Sequence, residues 1–266
     1  MFDWLFGAPA CPVEPQDQAW LERRTRWLVG EFGLAAARSA RMVLPTPEFF
    51  PDPYDGTRPA ARRLIARVSR YMGVDPTGLE VGFLDAGAPP GEGHREWAAG
   101  LYESDGFSVR ISIDEASLAD PLALVATAAH ELAHVLLLGQ GRLYGDEPDN
   151  EQVTDLLTVY LGFGVFTANS RVRDQSTRSV ASEQWSISRL GYLGQPQVGY
   201  ALALWARLRD EGNPAWARHL CADVRAYLKG GLRWLARKGD AVLDRETGSP
   251  THLSDDDLPP GFEKRS

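Results

Sequence analysis

Apolar residues recur at helical spacing over most of the chain. Trp20, Leu21, Trp27, Leu28 and Phe32 fall in step with Arg24 and Glu31, and Gly33 can close that segment. Pro45 to Pro59 is rich in proline and aspartate and reads as loop. Thr57 and Pro59 open a second helix, with Ala61, Leu64, Ile65, Val68, Tyr71 and Met72 on one face and Gly73 at its end.

The period then shortens. Leu79 to Leu84 reads as a short strand. Phe107, Val109, Ile111 and Ile113 alternate with Ser108, Arg110, Ser112 and Asp114, the signature of a strand with one wet face. Asp105-Gly106 before it suits a hairpin turn, with Ala98 to Tyr102 as the partner arm. These segments predict a small antiparallel sheet.

Helical spacing returns at Asp120 and Pro121, a capping residue followed by a first helical position. From Leu122 to Leu138 the only ionisable side chains are His130, Glu131 and His134, so this helix is expected at the centre of a core. Gly139 ends it, and a loop with Gly141, Gly145 and Pro148 leads to a further helix, Glu151 to Leu161. That helix is apolar apart from Glu151, Thr154, Asp155 and Thr158. The chain after Phe163 reads as loop as far as Ser182. Pro196 to Asp210 and Pro214 to Lys238 read as a helical hairpin turning at Gly212-Asn213. The polar tail from Gly239, with Asp255-Asp256-Asp257 and Pro259-Pro260, reads as poorly ordered.

Composition narrows the function classes. In 266 residues with 44% apolar content there is enough material for one large core or two smaller ones. The net charge of −8, with no basic stripe evident in the sequence, argues against nucleic acid as a partner. Cys11 and Cys221 are too few for a disulfide framework or a cysteine-rich zinc site. No apolar stretch is long enough to cross a bilayer, and the first residues lack the basic start of a signal peptide. The cytoplasm is the expected location.

The chemistry concentrates in His130-Glu131-Leu132-Ala133-His134. On a helix this spacing puts two imidazoles one turn apart on the same face, where they can share one ion. Glu131 between them is then placed to take a proton from water. Three titratable groups in an apolar helix are costly to bury without a partner, and a cation would supply one. A catalytic zinc site needs a third protein ligand and an open position. Glu151 is the leading candidate, with Asp155 one turn further on the same face, placed to accept a hydrogen bond from the other ring nitrogen of His130. Asp146, Glu147 and Asp149 are fallback ligands in the intervening loop. Asn150, Glu151 and Asp155 could equally do no more than cap a helix.

HExxH followed by Asn150-Glu151-Gln152-Val153-Thr154-Asp155 resembles the gluzincin zinc metallopeptidases, the thermolysin-like class, whose second motif reads NExxSD. The resemblance covers roughly Leu79 to Leu161 and is closer to a minimal bacterial branch than to a full secreted enzyme. It implies an α+β fold, with a zincin-like core whose small antiparallel sheet packs on the HExxH helix, followed by a mainly helical C-terminal part. The regions expected are 1–75, a helical part packed on the core; 76–165, the metal-binding core; 166–238, a helical subdomain; and 239–266, a disordered tail.

The same resemblance implies Zn2+ held by His130, His134 and Glu151, Glu131 as general base, Asp155 in support, and a peptide or protein substrate. It also implies a substrate strand along Ala99, Gly100 and Leu101. An oxyanion donor from the C-terminal part is expected too, with Tyr192, Tyr200 and His219 available for it. Core packing competes for each of these three. Nothing around Cys11 matches a cysteine-switch motif. The function expected is therefore a zinc-dependent hydrolase, most simply a peptidase. The rival reading is a non-catalytic zinc-bearing binding or regulatory protein.

Overall fold

The computed structural model describes residues 10–84, 109–177 and 193–239. These residues are mostly helical. In chain order they form α1 (Pro15–Phe32), α2 (Leu34–Ser39), α3 (Arg58–Tyr71), β1 (Leu79–Leu84), β2 (Val109–Asp114), α4 (Pro121–Leu137), α5 (Asn150–Tyr160), α6 (Gly164–Thr177), α7 (Gln195–Leu208) and α8 (Ala222–Lys238). Short 3-10 turns cover Pro76–Gly78, Glu115–Ala119 and Ala215–His219. Two compact units divide the chain: Val43–Asn150 is one, and Met1–Met42 with Glu151–Ser266 is the other.

In the unit Val43–Asn150, Thr57 caps α3 by accepting the Ala60 N–H at 3.3 Å, and Ile65 and Val68 are fully buried. Helix α4 packs against α3 and β2. β1 and β2 run parallel, from Leu79 opposite Val109 to Leu84 opposite Asp114. This overturns the expected antiparallel sheet, and with it the zincin-like α+β class: the described chain is mainly helical with one parallel strand pair. Alternating side chains mark a strand but are the same in parallel and antiparallel pairs, so the alternation could not give direction. The proposed partner arm, Ala98 to Tyr102, and the turn at Asp105-Gly106 lie outside the described residues.

In the other unit, Pro15 occupies the first turn of α1, which buries Trp20, Leu21 and Leu28, and Gly33 ends it at φ 85°. Arg209 donates from Nη1 to the carbonyls of Ala37, Arg38 and Ala40, tying the end of α2 to the chain after α7. Gly162 is required at its position. Its φ is +89°, and a Cβ there would lie 2.3 Å from the Arg41 carbonyl oxygen.

Two expectations fail in this unit. The supposed loop after Phe163 is helix α6, at least as far as Thr177, because Val165, Phe166 and Ala168 find buried partners that local polarity does not reveal. The second arm of the helical hairpin is broken into a 3-10 turn and α8. Asn169 on α6 holds the break open, donating to the His219 carbonyl at 2.9 Å and accepting the Cys221 N–H at 3.0 Å.

Candidate metal centre

Helix α4 begins where Asp120 accepts the N–H groups of Leu122 and Ala123 at 3.0 and 3.2 Å, with Pro121 following in the first turn. Its body is rich in alanine and leucine and buries nine residues, among them Leu132, Ala133 and His134. His130 and Glu131 are half-buried.

The two imidazoles converge. Nε2 of His130 and Nε2 of His134 are 3.1 Å apart, with ring planes inclined by 85° and centroids at 4.8 Å. Two donors bound tetrahedrally to one zinc at about 2.0–2.1 Å would be about 3.3 Å apart, so the pair already holds close to that separation.

The chain then turns tightly toward Glu151. The Leu137 carbonyl accepts the N–H groups of both Arg142 and Leu143, Gly141 adopts φ +64°, and Leu143 is buried. Further on, Glu147 N–H bonds the Tyr144 carbonyl and Asn150 N–H bonds the Glu147 carbonyl. These bonds fix Asn150, and Glu151 follows it by one peptide link. The ligand atoms of His130, His134 and Glu151 all lie within 4.8 Å of one another, and they form the only such group of three among the described residues. Asp146, Glu147 and Asp149, the fallback ligands, are not part of it.

Two imidazole nitrogens and one carboxylate are a donor set suited to zinc, and more generally to a borderline divalent metal. The residues present therefore fit a metal ion. They would hold it through three side chains only, which is the ligand count of a catalytic rather than a closed structural site.

Asp155 is 1% exposed, and its Oδ2 accepts the Leu193 backbone N–H at 3.1 Å. No sequence signal could have found this partner, because a backbone N–H is common to almost every residue. On the next turn, the Thr158 hydroxyl donates to the Asp155 carbonyl and shares a 2.7 Å hydrogen bond with Thr167 of α6. These bonds tie the turn of α5 that carries Asp155 to α6.

The oxyanion candidates fare unequally. Tyr200 is fully buried and donates its hydroxyl to Glu22 at 2.7 Å; burial, with Glu22 beside it, holds the phenol far above its ordinary pKa. It is a core residue with its proton committed. The His219 Nε2 takes a hydrogen bond from Arg218 at 3.2 Å. Tyr192, and the substrate-strand residues Ala99, Gly100 and Leu101, lie outside the described residues. Burial raises the pKa of the half-buried Cys11 thiol. No described helix is long and apolar enough to cross a membrane.

Compared with known proteins, the chain matches no protein-family model, no curated protein and no solved structure.

Proposed function

We propose that the protein is a metal-dependent hydrolase, most simply a zinc peptidase, centred on His130, Glu131, His134 and Glu151. The convergence of both Nε2 atoms at 3.1 Å, with the Glu151 carboxylate in the same group, carries this reading. The likeness to gluzincins adds the two motifs and nothing of the overall architecture.

His130, His134 and Glu151 would hold the ion. When bound, it supplies Lewis-acid charge that acidifies water and polarises a carbonyl. Glu131 adjoins His130 on α4 and is half-buried. Its role is to take the proton from the attacking water and pass it to the leaving nitrogen. Asp155, one turn beyond Glu151 and held by Leu193, is the candidate supporting acid on α5.

The test separates metal from chemistry. Purified protein should contain one divalent ion per chain, and Glu131→Gln should retain it. The same variant should lose peptide-library hydrolysis by about 100-fold or more. Unchanged turnover in Glu131→Gln removes the assignment of Glu131. Absence of stoichiometric metal removes the whole reading.

A further inference from the structure

Helix α8 buries Val224, Leu228, Gly231 and Leu235 against its own unit, chiefly against α7. A Cβ on Gly231 would lie 2.7 Å from the Cβ of Ala203, so the two helices already meet closely. The opposite face is of one kind, and it corrects the expectation that the chain carries no basic stripe. At 3.6 residues per turn, Arg225, Lys229, Arg233 and Arg237 climb one ridge, with Ala222, Ala226 and Ala236 between them in a sector of about 120°. Arg225 is half-exposed and the other six are exposed.

Among the described residues, no carboxylate forms an ion pair with any of these four cations. The polar contact of this ridge is internal, from Arg233 Nε to the Lys229 carbonyl at 3.1 Å. An ordinary solvated face mixes signs, because like charges four residues apart repel and opposite ones attract. Here the one acid of α8, the exposed Asp223 in its first turn, lies outside this sector.

We propose that this face of α8 docks an acidic helix of a protein partner, one carrying carboxylates four residues apart. The cations recur every four residues, about 6 Å along the axis over a ladder of about 18 Å. Carboxylates at the same interval on a second helix match that rise one for one. The alanines keep the relief low, so a second backbone can approach, and the arginine forks can each grip a carboxylate with two N–H groups. A lipid surface fits less well, because the exposed large apolar side chains among the described residues are Tyr71 and Tyr144, and neither is on α8. Nucleic acid fits less well too, since the sector offers no aromatic for base stacking and the whole chain carries −8.

The test uses the full-length protein and a labelled, alanine-rich peptide of about twenty residues, with glutamates paired four apart on one face. A glutamine version serves as its control, and both are titrated by fluorescence anisotropy. The glutamate peptide should bind, and binding should weaken as salt rises. Lys229→Glu with Arg233→Glu should cost at least about tenfold, and the glutamine peptide should not bind. Lys229→Gln with Arg233→Gln, which keeps helix propensity, should show an intermediate loss if the double reversal unfolds. Arg63→Glu with Arg70→Glu, exposed on α3, should change affinity less than about twofold.

An equal loss from the α3 reversal would overturn the proposal, as would no binding at all. So would binding to anionic vesicles but not to the peptide. Binding that emerges only after Asp255, Asp256 and Asp257 are changed to asparagine would also overturn it, because the chain's own acids would then be the occupant.

Discussion

Glycine at position 199 sets how closely α7 and α8 approach, and its replacement by alanine gives a sharp test of the packing. A Cβ there would sit 2.4 Å from the Cβ of Tyr227 and 3.2 Å from both the Leu228 nitrogen and the Val224 oxygen. None of these atoms is the movable end of a side chain. Carbon atoms in contact prefer about 3.5–4.0 Å, so the helices must separate by about 1 Å or more. Overpacking of this kind costs about 1–3 kcal/mol, and the loosened contact between α7 and α8 adds to it. Removing a glycine from a helix interior returns up to about 1 kcal/mol.

The net expectation for Gly199→Ala is a loss of about 2 kcal/mol. Gly30 in α1 is the internal control. It is exposed, at an ordinary φ, with nothing within 4 Å of its virtual Cβ. Gly30→Ala should therefore gain about 0.5 kcal/mol through helix propensity alone. Urea titration followed by circular dichroism measures both, and unchanged slopes would license the comparison. A Gly199→Ala midpoint at or above wild type would refute the reasoning, because it would mean that the two helices are not in backbone-limited contact.

Three other perturbations follow from the same geometry. Asp120→Ala removes the acceptor for two N–H groups at the start of α4 and should cost about 1 kcal/mol, read as a lower Tm; an unchanged Tm would exclude that cap as a stabilising element. Adding zinc at about 100 times its Kd should stabilise the wild type by about 2.7 kcal/mol, and a chelator should reverse it; His134→Ala and Glu151→Ala should lose most of the effect, and equal stabilisation of both variants would refute the ligand set. The Thr57 hydroxyl and backbone N–H, both bonded to Asp55, hold that carboxyl below its usual pKa. Its contribution is present above the unfolded value and is lost as the pH falls through the lower folded value, so an NMR titration should place its midpoint below 3.8, and Thr57→Ala should raise it.

Much of the helical outline was legible because caps and apolar spacing are local. Thr57, Asp120 and Pro121 announce their helices through bonds and dihedral limits that operate within a few residues. The pairing of His130 with His134 is equally local, since one turn of helix fixes their separation. What local pattern could not supply was the identity of a partner far away in the chain. Helix α6 exists where the sequence reads as loop because Val165 and Phe166 are buried by other elements, and the break before α8 exists because Asn169 reaches across from α6. Direction of strand pairing is of the same kind: β2 alternates as a strand should, yet only its three-dimensional register with β1 makes the pair parallel. The sequence by itself therefore determined where the candidate metal ligands stand on their helices. Tertiary structure alone decided what surrounds them, down to the Leu193 amide on Asp155, because burial and long-range hydrogen bonds depend on residues that no short window contains.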